Sequence, residues 1–175
     1  PYLRENIGMV LQEPFLFSRS IAENISIAGE KVDMTAVREA SRAACLDETV
    51  EGFTQGYDTF VGERGVTLSG GQKQRAAIAR TLMRRQPIMI FDDSLSAVDT
   101  ETDAKIRAEL ERRFGSASII LISHRITTLA KASQILVLDK GRIAERGTHD
   151  ELVAANGIYR KIYDIQTAGA EEAAR

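Results

Sequence analysis

The chain has one cysteine, Cys45, and therefore no partner for an internal disulfide. That excludes a cross-linked secreted scaffold and suits a reducing cytosolic setting, with Cys45 read as a small core residue. Long apolar runs are also lacking. The stretches 119–122 and 135–138 fall far short of the ~20 apolar residues needed to cross a bilayer core of about 30 Å. Basic charge is not in excess, since 23 Lys and Arg face 25 Asp and Glu for a net charge of -2. A basic stripe for nucleic acid is therefore not expected. No internal repeat is visible, and bias is confined to the alanine- and glutamate-rich tail after Thr167, which is expected to fray. The first residue is Pro1 rather than methionine, and 1–10 reads neither as a signal peptide nor as a capped element. The expectation is a piece of something longer. What remains, 175 residues with 43% hydrophobic and 27% charged, has the size and composition of one ordinary globular domain.

The apolar stretch 7–11 reads as a strand, and the Glu13-Pro14 step ends it because a residue before proline is pushed out of the helical region. Helical spacing runs through 20–46, with Met34, Val37, Ala40 and Ala44 on one face and Asp33 placed to cap. A short helix is expected around 47–51. The glycine-bearing loop 52–65 leads to LSGGQKQRAAIARTLMRR, a helix with a glycine-rich start. The run 88–91 suits a parallel strand covered on both faces. Helix 100–114 follows, with Ile106, Leu110 and Phe114 four apart and Gly115 as its stop. A second buried strand is expected at 118–122, a short helix at 126–131 and a third strand at 135–138. Lys140-Gly141 turns the chain into a hairpin strand at 142–146. Thr148 to Glu151 is a capping box that opens a final helix carrying Leu152, Val153, Tyr159, Ile162 and Tyr163. Strands alternating with helices predict an α/β fold on a parallel sheet.

Three places carry candidate chemistry. IMIFDD puts Asp92 and Asp93 where a buried parallel strand ends, the edge at which open α/β sheets collect ligands. One such carboxylate, beside substrate phosphates, suffices to hold magnesium; a solvated acidic turn is the plainer reading. Leu68-Ser69-Gly70-Gly71-Gln72 starts a long helix, whose free N–H groups and positive dipole end suit an anion, with the Ser69 hydroxyl as a further donor. The same residues also read as a simple capping box between Ser69 and Gln72. His124 follows the 118–122 strand and could contact a phosphate or a water, or be structural.

In order, Gln12 after a strand, LSGGQ, an apolar strand with two acids, Ser96-Ala97-Val98-Asp99, and a histidine after the next strand make a specific set. It resembles the ATP-binding cassette (ABC) transporter family over nearly the whole chain. Gln12 matches the Q-loop, LSGGQ the signature, Asp92 the Walker B aspartate, Ser96 to Asp99 the D-loop and His124 the switch histidine. Gly62-Glu63-Arg64-Gly65 and the ending GTHDELVAANGIYRKIY are similar to the exporter branch. The resemblance implies part of a RecA-like P-loop NTPase sheet with an inserted α-helical subdomain: core at 1–13, helical subdomain at 14–84, core again at 85–175. It implies ATP and Mg2+ as ligands, with Gln12 and Asp92 at the metal. Asp93, His124 and Gln12 would serve catalysis. Ser69, Gly70, Gly71, Gln72 and Asp99 would serve a nucleotide, with the signature reaching one held by a second nucleotide-binding domain. Residues 4–17 and 63–65 would face coupling helices of a transmembrane domain, placing the chain at the cytoplasmic face of a membrane. Phe15 and Phe17, within that stretch, also read as core aromatics.

Two departures from the family pattern stand out. No G-x-x-x-x-G-K-[ST] occurs, so the phosphate-cradling loop and its lysine are missing, as is the upstream aromatic that would stack on adenine. Truncation is the expected explanation, and the isolated piece is expected to bind ATP weakly or not at all. Asp93 stands where the family usually has glutamate, one methylene longer. A misplacement of about 1 Å can cost roughly 10²-fold in rate, so a slow site and a heterodimeric exporter are expected. The alternatives are a non-transport ATPase of the same superfamily and a catalytically silent module. The lack of a long insertion between Gln12 and LSGGQ disfavours a chromosomal type, and the ending disfavours a ribosomal one.

Overall fold

In a computed structural model of the chain, residues 2–27, 32–62, 66–84 and 86–173 are described. The chain divides into two compact units, Pro1–Ile122 and Ser123–Arg175. In the first, α1 (Tyr2–Asn6) runs into β1 (Ile7–Val10), and an irregular stretch leads to β2 (Arg19–Ser20) and α2 (Ile21–Ser26). Then come α3 (Met34–Ala43), α4 (Asp47–Glu51), a 3-10 turn at Gly56–Asp58 and β3 (Phe60–Val61). The unit closes with α5 (Gly70–Leu82), β4 (Ile88–Asp92), α6 (Thr100–Phe114) and β5 (Ser118–Ile122).

The expected helix over 20–46 is two helices. Ser20 and Glu23 form a capping box, the Ser20 hydroxyl accepting from the Glu23 N–H and the Glu23 carboxylate accepting from the Ser20 N–H. Asp33 caps again, accepting from the Thr35 and Ala36 N–H groups. Two N-caps thirteen residues apart mark two starts. Val37, Ala40, Ser41 and Ala43 are buried on α3, while Met34, in its first turn, is exposed. Cys45 ends this run at φ 53°. Its thiol is half-buried, and that burial pushes its pKa up.

Strands β1, β4 and β5 form a parallel sheet with β4 in the middle. Alternation sends Gly8, Val10, Met89 and Phe91 to one face, where they are buried. The opposite face is not covered as expected: Met9 is 51% exposed, Ile120 47% and Ile122 49%. Helix α6 matches the expected bounds and buries Ile106, Leu110 and Phe114 in the same core as Ile78 and Met89. β2 and β3 make a separate antiparallel pair.

The second unit holds α7 (Ile126–Leu129), β6 (Ile135–Asp139), β7 (Arg142–Gly147), α8 (His149–Ala154) and α9 (Ile158–Ala173). The expected hairpin is present: Lys140 at φ 47° and Gly141 at φ 76° supply the two left-handed residues of a tight turn. That turn sends β6 straight back against β7 in a two-stranded antiparallel sheet, so β6 is not a further parallel strand. The final helix is also two. Thr148 and Glu151 form the expected capping box for α8, but Asn156 at φ 54° and Gly157 break the run. The Glu145 carboxylate restarts it by accepting from the Ile158 and Tyr159 N–H groups at the head of α9. α9 continues through the expected fraying point at Thr167. Ile126, Ile135, Leu152 and Tyr159 form this unit's core.

Two outcomes test this packing. Ile106 is fully buried, so Ile106→Ala should lower unfolding stability by about 2–5 kcal/mol, read from urea midpoints. On α6, Arg112 and Arg113 donate to Glu109 and hold its carboxyl down to about 2. A depressed carboxylate contributes stability above its unfolded pKa and loses it as pH falls through the folded one. Glu109→Gln should therefore cost up to ~1 kcal/mol, an exposed-pair value, above about pH 4.5. The gap from the parent chain should close between there and about pH 2 in a pH-resolved melting series.

Candidate functional site

The parallel register sets the site's frame. Val10 pairs with Phe91, and Asp92 with Ile122. Gln12, two residues beyond β1, and Asp92, the last residue of β4, therefore leave the sheet at one rim. Gln12 is exposed and Asp92 half-buried. Asp93 turns the chain at φ 43°, a left-handed conformation that Asp and Asn adopt more readily than most residues. The turn is anchored to the neighbouring strand, with the Asp93 N–H donating to the Ile122 carbonyl at 2.8 Å.

Residues 94–99 fold back tightly from this point. The Asp93 carbonyl accepts from both the Ser96 N–H (3.2 Å) and the Ser96 hydroxyl (2.7 Å), and the Val98 N–H donates to the Leu95 carbonyl. Ser94, Leu95 and Val98 are buried. Asp99 serves as N-cap of α6, accepting from the Thr102 N–H at 2.9 Å, and that backbone bond holds its carboxyl below the usual range. The exposed Asp99 thus has a local structural task.

The start of α5 is exposed at Ser69 and Gly70. The Ser69 hydroxyl accepts from the Gln72 N–H (3.2 Å), and the Gln72 amide oxygen accepts from the Ser69 N–H (2.9 Å). The capping box is real, and it does not use up the serine: an accepting hydroxyl still has its own hydrogen to donate outward. The two glycines differ. A Cβ at Gly70 would meet nothing within 4 Å, whereas one at Gly71 would lie 2.9 Å from the Ala97 carbonyl oxygen. Gly71 thus lets the helix start pack against the turn that follows the acids.

Deeper in α5, Gln74 is buried and its amide nitrogen donates to the Leu11 carbonyl at 3.1 Å. Arg80 donates to the carbonyls of Phe15 (2.9 Å) and Asn24 (2.8 Å) and to the Asn24 amide oxygen (3.1 Å). Burial lowers the Arg80 pKa. Sequence reading missed both side chains. The signal was there for Gln74, which heads the stripe 74, 77, 78, 81, 82 that faces the core and is otherwise small or apolar. Phe15 and Phe17 pack edge to face with centroids 5.0 Å apart, yet Phe15 is 68% and Phe17 41% exposed, so neither is a core aromatic.

His124 is exposed and belongs to the second unit, where its carbonyl accepts from the Gln166 amide at 2.6 Å. Glu63, Arg64 and Gly65 lie outside the described residues. A depression of about 430 Å³ is lined by Arg42, Cys45, Arg75 and Lys105 among others, and by none of the rim residues.

A carboxylate and an amide oxygen at the rim are hard donors that fit a small divalent cation. Among the described residues no cluster of three His, Cys, Asp or Glu side chains exists. Such an ion would need oxygens beyond these two. Also among the described residues, no helix is long and apolar enough to cross a membrane.

The ABC transporter family model matches residues 1–96. The chain is 48% identical over 164 residues to an uncharacterized ABC transporter ATP-binding protein, YknU, of Bacillus subtilis, covering 94% of this chain and 28% of that protein. It is 43% identical over 168 residues to the ATP-dependent lipid A-core flippase of Haemophilus influenzae, covering 95% and 29%. A solved bacterial Atm1-family ABC exporter with ATP bound is similar in structure at TM-score 0.90 and 41% identity, over 94% of this chain and 29% of that one. The chain spans less than a third of the length of each. That likeness agrees with the α/β fold expected from the motifs, part of a RecA-like core with a parallel sheet. With a family model covering more than half of its residues, the chain belongs to the ABC transporter family.

Proposed function

We propose that this chain is the C-terminal part of the nucleotide-binding domain of an ABC exporter, an ATPase that couples ATP binding and hydrolysis to export across a membrane. The single observation that carries the reading is the common rim of Gln12, Asp92 and Asp93, with the glycine-started α5 exposed at Ser69 and Gly70 in the same unit.

In this reading Asp92 and Gln12 hold Mg2+, which supplies charge neutralisation on the phosphates when bound. Asp93 takes the proton of, or orients, the attacking water, and His124 contacts the transferred phosphate. The Ser69 hydroxyl and the free N–H groups of Gly70 and Gly71 bind the γ-phosphate of a nucleotide held by a second such domain, so the two domains enclose ATP head to tail. The backbone around Asp99 completes that interface. The core and helical-subdomain division at 1–13, 14–84 and 85–175 belongs to the same reading. Phe15 and Phe17, with residues 63–65, meet the coupling helices of a transmembrane domain at the cytoplasmic face. Exposure of both aromatic rings, packed on one another, supports that docking role, because contiguous exposed apolar surface marks interaction sites. The names of the flippase and the Atm1-family exporter support export over the non-transport alternatives.

Asp93 makes this the slower half of a heterodimer. Its carboxylate ends one methylene short of a glutamate's, while the LSGGQ start that serves the opposite site is intact. In the full-length transporter, Asp93→Glu should raise the single-turnover hydrolysis rate by about 10- to 100-fold at its own site. An unchanged rate sinks the weak-base assignment. The chain by itself lacks a phosphate-cradling lysine loop, so titration with a fluorescent ATP analogue should give no binding in the micromolar range. Micromolar binding would contradict the need for that loop.

A further inference from the structure

Residues 11–17 contain no regular secondary structure, and Leu11, Gln12, Glu13, Phe15 and Phe17 are all exposed. Within it, Leu16 packs against the core. Hydrogen bonding to helical side chains adds to that hold, half of it through α5 and half through Asn24 of α2. Gln74 takes the Leu11 carbonyl, immediately before Gln12, and Arg80 takes the Phe15 carbonyl. Arg80 also stacks over the Phe17 ring at 5.8 Å and grips Asn24, whose side chain bonds both the N–H and the carbonyl of Phe17. The fastenings span 63 and 65 residues of sequence, so they are tertiary and not a local turn. Gln12, Glu13 and Pro14 lie between the two α5 contacts.

We propose that α5 clamps this segment at both ends, with Gln74 and Arg80 acting as positioning residues that hold Gln12 and the Phe15–Phe17 pair in a fixed relation to the helix start at Ser69. The clamp rests on the functional reading above, and its chemistry is specific. Gln74 is an uncharged donor in a buried place, where losing the donor leaves a carbonyl without its partner. Arg80 is a planar fork, half-buried, whose several N–H groups reach three oxygens at once, which lysine cannot do. A displacement of the helix start would be transmitted to Gln12 and the aromatic pair together, because both are fastened to one rigid rod.

The test uses the full-length transporter with a nitroxide on a single introduced thiol, Glu13→Cys, in a background with its other cysteines replaced. Gln74→Glu keeps the shape and turns the donor into an acceptor facing the Leu11 carbonyl. Gln74→Met, apolar and of similar length, serves if the acid prevents folding. Either change, and Arg80→Lys, should narrow the nitroxide spectrum toward a mobile loop. Each should also lower the single-turnover MgATP hydrolysis rate at this chain's own site about 10-fold or more, with the nucleotide concentration for half-maximal rate within about 2-fold. A nitroxide spectrum unchanged in both Gln74→Met and Arg80→Lys overturns the clamp. A mobile nitroxide with an unchanged single-turnover rate at that site leaves the fastening in place and overturns its role in positioning Gln12. Failure of the parent transporter to hydrolyse ATP overturns the functional reading, while the spectra still decide the clamp.

Discussion

Parallel pairing of β4 with both β1 and β5 is the constraint on which the rest of the site depends. It brings the ends of three strands, separated by up to 112 residues of sequence between Val10 and Ile122, to one rim. A one-residue slip of β4 would reverse every side chain on that strand. Asp92 would then turn toward the face that buries Met89 and Phe91, where an unpaired carboxylate is costly. The alternation of the strand therefore fixes the core and the acid together. The bond from Asp93 to the Ile122 carbonyl extends the ladder one step past the strand.

The second constraint is α5, which has six of its 13 residues buried and is held on several sides. Its first turn admits the Ala97 carbonyl beside Gly71, its middle grips Leu11, and its last turns grip Phe15 and Asn24. Sequence motifs separated by tens of residues become one mechanical assembly because this helix touches each of them. Partial burial gives the contacts to Leu11 and Asn24 weight, since a hydrogen bond in a low-dielectric place is costly to lose.

Much of the frame was legible in sequence because its signals are local. Asp33, Thr148 and Gly141 announce caps and a turn through their own side chains or lack of one, and α4, α6 and β5 fall within a residue of expectation. The breaks inside 20–46 and 148–163 were written too, in Ser20 with Glu23 and in Asn156-Gly157. They were overridden by an apolar spacing that continues across each break. Pairing partners were harder to read. β6 is as apolar as a buried parallel strand, and only the two-residue turn after it decides that it pairs antiparallel with β7. Ile120 and Ile122 carry a composition suited to burial on both faces, yet one face of β5 is open, a fact about neighbours that no run of residues contains. The same applies to Gln74: its place on the core stripe is legible, but Leu11 as its partner is not.

Asp93 joins the two constraints. The turn after β4 needs a left-handed residue so that its N–H can reach Ile122 and its carbonyl can receive Ser96. A left-handed L-residue costs roughly 1–2 kcal/mol, and aspartate lowers that cost through its short polar side chain. Glutamate is not favoured there in the same way. The turn alone thus prefers the shorter acid, quite apart from catalysis, by something on the order of 1 kcal/mol. In the role proposed for Asp93, a reach shortened by one methylene, at about 10²-fold in rate, would correspond to ~2.7 kcal/mol of activation free energy. On that proposal the chemical term is the larger, and backbone preference does not by itself account for aspartate at this position. A site under full demand for turnover would then tolerate the turn's modest cost and carry the longer acid.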